Sequence, residues 1–137
     1  MGLKRATNSI QAQLLMEMGV PADTADAHYD PGNNRLLFIP RDMRGSQFGY
    51  RVAWTVDALI DYLCDGDNVF ITFRRSTFGD DSFWICSYVR HEDKNVFGIS
   101  KAGPSKIDAI FEVIYELHRS KYDTGTTKKR KLRRNIR

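Results

Sequence analysis

Residues 69–100 read VFITFRRSTFGDDSFWICSYVRHEDKNVFGIS. Three strand-like runs stand in this stretch, at 69–74, 82–90 and 95–100, rich in Val, Ile, Phe, Tyr, Trp and Thr. Their separators are 75–81, which contains Gly79-Asp80, and His91-Glu92-Asp93-Lys94. A parallel neighbour needs a crossover of a dozen or more residues, so linkers this short allow only antiparallel hairpins, and the stretch predicts a three-stranded meander. Along the first strand Phe70, Thr72 and Arg74 alternate with Val69, Ile71 and Phe73. Along the second, Trp84, Cys86, Tyr88 and Arg90 alternate with Phe83, Ile85, Ser87 and Val89. Grouping the sets by type gives one aliphatic face as core and one face carrying Phe70, Trp84 and Tyr88 beside Arg74 and Arg90. The second face has the chemistry on which single-stranded nucleic acid stacks in sheet platforms. Aromatics are also ordinary strand residues, and the commoner arrangement is a second core under the loop 41–50 or the first helix. The aromatic-glycine signature of an RNA-recognition motif is missing from these strands.

Helical segments flank the meander. The clearest follows it: Ser105 is an N-cap with Pro104 before it and Asp108 three residues on, an acidic form of the capping box. Ile107, Ile110, Phe111, Ile114 and Leu117 then recur on one helical face, widened by Val113 and Tyr115. This helix is expected to pack across Ile71, Phe73, Ile85 and Val89 and to run to about Lys121. Upstream, Thr55 opens a helix with the stripe Val56, Leu59, Ile60 and Leu63, ended by Asp65-Gly66-Asp67-Asn68. Another spans about residues 9–18, with Ile10, Leu14, Leu15 and Met18 on one face and Asn8 or Ser9 as cap. Gly19 supplies its left-handed C′ residue, and Pro21 prevents continuation. Residues 35–39 read as a short edge strand closed by Pro40, after the turn Pro31-Gly32-Asn33-Asn34. Residues 41–50 hold three Gly or Ser and no periodicity, and so read as a surface loop.

Charge is unevenly placed. Seven of the last ten residues are basic: Lys128, Lys129, Arg130, Lys131, Arg133, Arg134 and Arg137. Removing those seven from 21 Lys and Arg leaves 14 against 17 Asp and Glu, a net charge of −3 over residues 1–127. The sequence pI near 9.2 therefore belongs to the final segment. A basic block on an acidic body is the pattern of a polyanion-binding or interaction arm. Seven cations can neutralise phosphates and release counterions, which gives affinity without sequence preference. Lacking aromatic or Gln partners, the block has few means of reading bases. Its plain alternative is a solvated segment that aids solubility or docks on an acidic protein surface.

Size and composition narrow the rest. A chain of 137 residues with 42% hydrophobic and 12% aromatic content is ample for one domain with its own core. No apolar run approaches the ~20 residues of a membrane span, and residues 1–6 lack the apolar stretch of an export signal. Cys64 and Cys86 show no zinc spacing and read as buried thiols of a reducing compartment, so a cytoplasmic location is expected. Asp23, Asp26, His28 and Asp30 match no calcium or zinc spacing and are better read as caps and solvated side chains. Asp80 and Asp81 turn a hairpin. His91 and His118 stand alone. With no Rossmann fingerprint, phosphate-cradling loop or triad context, neither catalysis, a metal nor a cofactor is expected.

Three patches carry a resemblance. Gly19-Val20-Pro21-Ala22-Asp23-Thr24-Ala25-Asp26 follows the first helix, Ala53-Trp54-Thr55 with Ala58-Leu59 leads the second, and Ile107-Asp108-Ala109 opens the last, which ends near Lys121-Tyr122. Over residues 10–122 the chain resembles a group of small uncharacterised proteins encoded by gut bacteria, their prophages and other mobile elements. The resemblance implies a genomic setting and a bacterial or phage-infected cell; it assigns no catalytic residue. The basic segment departs from the group's pattern.

The expectation is thus an α+β protein: a three-stranded antiparallel meander plus a short edge strand, packed with two to three helices in two layers. Residues 1–127 form one domain with a short N-terminal extension, and 128–137 form the basic tail. The expected function is that of a small accessory binding protein whose tail contacts nucleic acid nonspecifically. The alternative is a protein-interaction module or inhibitor that binds a host factor through its acidic body.

Overall fold

The computed structural model describes residues 4–44, 51–64, 66 and 68–123. In chain order the elements are α1 (Ser9–Glu17), β1 (Ala27–Tyr29), β2 (Leu36–Phe38), β3 (Val52–Ala53), α2 (Val56–Leu63), β4 (Val69–Phe78), β5 (Asp81–Glu92), β6 (Asn95–Gly103) and α3 (Lys106–Asp123). The architecture is α+β, with two three-stranded antiparallel sheets.

The meander forms as expected, in the order β4-β5-β6, with strands longer than their apolar runs. Its register explains which side chains reach the core. The two-residue loop Gly79-Asp80 pairs Phe78 with Asp81, and Gly79 takes the positive φ (63°) that the first position of a type II′ turn requires. From that pair outward, Phe73 meets Cys86 and Ile71 meets Tyr88, so each odd position of β4 faces an even position of β5. Directly paired residues point to the same side of a sheet. The second loop, Asp93-Lys94, continues the pattern by pairing Tyr88 with Ile99 and Trp84 with Gly103.

The aliphatic face expected from sequence is therefore split. Ile71 and Phe73 share a face with Trp84, Cys86 and Tyr88, while Ile85 and Val89 lie opposite Arg74 and Phe70 on the other. α3 packs on the Trp84–Cys86–Tyr88 face against β5 and β6. Ile107, Ile110, Phe111 and Ile114 join Val69, Cys86 and Tyr88 in one core, with Ile71, Phe73, Trp84 and Ile99 packed against it. Gly103 permits the close approach of the helix. A Cβ there would lie 2.8 Å from the Ala109 amide nitrogen and from Asp108 Cβ.

The second sheet has the order β2-β1-β3, and the short strand expected at 35–39 is its edge. The chain before α1 is held in place: Ala6 bridges to Thr55, and the Thr7 amide donates to the Trp54 carbonyl (3.0 Å). Thr7 is fully buried; its Oγ1 accepts from the Trp54 amide (3.0 Å) and its carbonyl accepts from Tyr29 Oη (2.7 Å). The Trp54 indole, also buried, donates to Thr24 Oγ1 (2.9 Å). α1 carries the expected cap in full. Asn8 accepts from the Gln11 amide, and the Gln11 side chain accepts from the Asn8 amide. Its buried residues are Ala12 and Leu15, whereas Ile10 is exposed. Among the described residues no helix is long and apolar enough to cross a membrane.

Candidate functional site

The basic segment Lys128, Lys129, Arg130, Lys131, Arg133, Arg134 and Arg137 lies outside the described residues. The last described element, α3, ends at Asp123.

The five residues expected to form one stacking platform divide between two faces. Phe70 and Arg74 stand on the outer face of the meander. Trp84, Tyr88 and Arg90 stand on the inner one, and Tyr88 is completely buried beneath α3. The reason is the register: even positions on β4 and even positions on β5 point to opposite sides. Arg90 lies over the Tyr88 ring (5.4 Å to the centroid) and pairs with Glu92 (3.4 Å). The outer face is open along both edge strands. Phe70, Thr72 and Arg74 are exposed on β4, and Val96, Gly98, Ser100 and Ala102 on β6. Between them Phe83, Ile85, Ser87 and Val89 are half-buried, and Phe70 meets His91 edge to face at 5.5 Å.

A different grouping centres on Trp84. This ring lies at the level where β6 ends and α3 begins, paired across the sheet with Arg75 on one side and Gly103 on the other. Lys106 Nζ stands 4.7 Å above its centroid, and the Arg75 guanidinium stands 5.7 Å from it. Beside the ring is a cleft of about 540 Å3 lined by Lys4, Arg5, Thr55, Val56, Asp57, Trp84, Pro104, Ser105, Lys106 and Asp108. The first turns of α2 and α3 converge on it, each with its hydroxyl cap in place. Thr55 Oγ1 accepts from the Ala58 amide (3.3 Å) and donates to Asp26 Oδ2 (2.5 Å). Ser105 Oγ accepts from the Asp108 amide (3.0 Å) and donates to Asp108 Oδ2 (2.7 Å).

Asp108 holds one wall of the cleft together. Its Oδ1 accepts from Lys4 Nζ (2.7 Å) and Gln11 Nε2 (2.9 Å), tying both the chain before α1 and α1 itself to the start of α3. Partial burial alone would raise its pKa. The hydrogen bonds from Lys4, Ser105 and Gln11, with the charge of Lys4, outweigh that and hold the carboxyl below its ordinary value. Lys4 is thus already matched by a carboxylate. Among the described residues neither Arg5 nor Lys106 forms an ion pair, and both are exposed.

Two of the other polar candidates, Asp26 and Asp30, are held in structural contacts. Asp26 accepts from the Thr55 amide (3.0 Å) as well as its hydroxyl, and Asp30 accepts from the Gly32 amide (3.0 Å) in the turn after β1. Asp23 lies in a single 3-10 turn, and Asp81 begins β5. Among the described residues no three His, Cys, Asp or Glu side chains converge on a metal-sized site. Cys86 is buried, and burial pushes its thiol up to about 12, far from a reactive thiolate.

Sequence reasoning singled out Trp84 but missed its neighbours. By sequence Arg75 falls at the edge of the separator 75–81, and Lys106 merely follows the N-cap Ser105. Counting residues outward from Gly79-Asp80 would have placed Arg75 opposite Trp84. The approach of Lys4 and Arg5 has no local signal, because it depends on a contact 104 positions away in the chain, from Lys4 to Asp108. No protein-family model, curated protein or solved structure matches the chain.

Proposed function

We propose that this chain is a small accessory binding protein of phage or mobile-element type, whose segment 128–137 contacts nucleic acid without reading its sequence. The observation that carries this reading is the segregation of charge: seven cations in ten residues follow a body of net charge −3. Such a body repels a polyanion, so the segment must supply the attraction and set its salt dependence. The segment holds no aromatic or Gln side chain and a single Asn, Asn135, among its seven cations, a composition that favours phosphate contact over base reading.

The experiment compares the full-length chain with a full-length variant in which all seven cations are Gln, by anisotropy of labelled single-stranded and duplex oligonucleotides at low salt. The reading expects similar affinity for unrelated sequences and a loss of ~100-fold or more in the variant, since each neutralised phosphate contributes to counterion release. Unchanged affinity would remove the segment from the function.

A second reading, a protein-interaction module or inhibitor of a host factor, draws support from the outer face of the meander. Phe70 is 54% exposed and Val96 63% exposed, flanking half-buried Ile85 and Val89. Paired apolar side chains on an open sheet are a surface suited to a protein partner. Failure of both proteins to bind either oligonucleotide at low salt would favour this reading.

A further inference from the structure

We propose that the cleft beside Trp84 binds one nucleotide, with the base against the indole and the phosphate between Arg5 and Lys106. Its described lining residues come from positions 4–5, 55–57, 84, 104–106 and 108 of the chain. Three features converge on this chemistry. The cleft is of about 540 Å3, within the range of small-ligand sites. Trp84 is half-buried and offers a fixed aromatic wall, because its strand is paired on both sides. Its neighbours Lys106 and Arg75 are exposed and lie over the ring, Lys106 reaching Phe73 as well (5.7 Å) and Arg75 donating to Ser82 Oγ (3.2 Å), with no carboxylate partner for either among the described residues.

Those contacts define an exchange. A base entering against the indole displaces a long, exposed cation from the ring. The displaced ammonium of Lys106 can then meet the phosphate of the same ligand, as a charge-assisted contact. Arg5, on the same lining, adds a planar fork that matches phosphate oxygens. Lys4 contributes less, because Asp108 already neutralises it at 2.7 Å. Asp57 also lines the cleft and opposes an anion there. A ligand lacking either the planar ring or the negative charge would leave half of this arrangement unused. A free mononucleotide and one unit of a single strand share the required chemistry.

The two tryptophans make the test specific. Trp54 is fully buried with its indole bonded to Thr24, so its N–H resonance is an internal control. The full chain, labelled with 15N, is titrated separately with a mononucleotide (AMP, then CMP), a five-residue single-stranded oligonucleotide and inorganic phosphate. The proposal expects the Trp84 indole N–H to move on titration while that of Trp54 stays. Response to the mononucleotide identifies a free nucleotide as sufficient; response to the oligonucleotide alone identifies a strand. Replacing both exposed cations (Arg5→Gln with Lys106→Gln) should weaken binding ~5–10-fold, and Asp57→Asn should strengthen it ~2–3-fold, the scale of exposed charge contacts. No movement of Trp84 with any nucleotide, an equal response to inorganic phosphate, or unchanged affinity in the double variant overturns the site. An oligonucleotide that binds by anisotropy without moving Trp84 would overturn the cleft alone and leave segment 128–137 standing. A Trp84 response with no effect of neutralising that segment would do the reverse.

Discussion

Asp108 shows how one side chain serves several elements at once. It sits at the third position of α3, where its amide donates to the capping Ser105 hydroxyl and its carboxylate accepts from that hydroxyl, and it receives Lys4 and Gln11 from the start of the chain. Replacing it with Asn keeps the shape and the Ser105 cap but removes the charge; at pH 7 this should cost about 1–2 kcal/mol, the scale of a charge-assisted bond. The sign of the pH dependence follows from its depressed pKa. The carboxylate's contribution is complete above its unfolded pKa, ~3.9, and disappears as pH falls through the folded value. Denaturant curves for the two proteins should therefore differ at pH 7 and converge well below pH 4; a constant difference across that range would show that charge is not involved. Cys86 gives a second check at this scale. With its pKa pushed up to about 12 by burial, it should resist a thiol reagent in the native protein, and labelling should be confined to half-buried Cys64. Modification of both thiols at comparable rates, with the fold intact, would contradict the packing.

At the scale of elements, the meander and its covering helix were legible because their signals are local. The turn Gly79-Asp80, the Ser105 cap and the apolar recurrence from Ile107 to Leu117 each lie within a few residues of what they specify. Register was not legible from residue type. Grouping aliphatic with aliphatic placed Ile85 and Val89 under α3, but the pairing of Phe78 with Asp81 turns them outward and puts Trp84, Cys86 and Tyr88 in. The second sheet escaped for another reason. β1 and β3 hold three and two residues, and their buried members include Ala27 and Ala53, too small and too few to form a pattern. Ala12 likewise takes the buried place on α1 that periodicity gave to Ile10. Mutation separates the two registers directly. Phe111→Ala should cost ~3–5 kcal/mol, and Tyr88→Ala a similar amount, as buried large-to-small changes do. Ile85→Ala, on the half-covered outer face, should cost ~1 kcal/mol in the same urea titrations. A larger loss at Ile85 than at Tyr88 would reverse the assignment of the faces.

On the scale of the whole molecule, the fold and the charge make separate contributions. The described body builds a stable frame, with an open outer sheet face on one side and the Trp84 cleft where β6 turns into α3. Its cationic cluster was illegible in sequence because Lys4, Arg5, Arg75 and Lys106 come from three distant stretches. The basic block at 128–137 was legible at once, since it needs no fold to be recognised. The most direct test of the account is the salt dependence of nucleic-acid binding by the full chain, read as log K against log salt concentration. Engagement of all seven cations gives a slope of about −5 to −6, and partial engagement one near −4. The account predicts a slope in that range, with the same value for unrelated sequences. A slope near zero, or one unchanged when the seven cations are replaced by Gln, would contradict it.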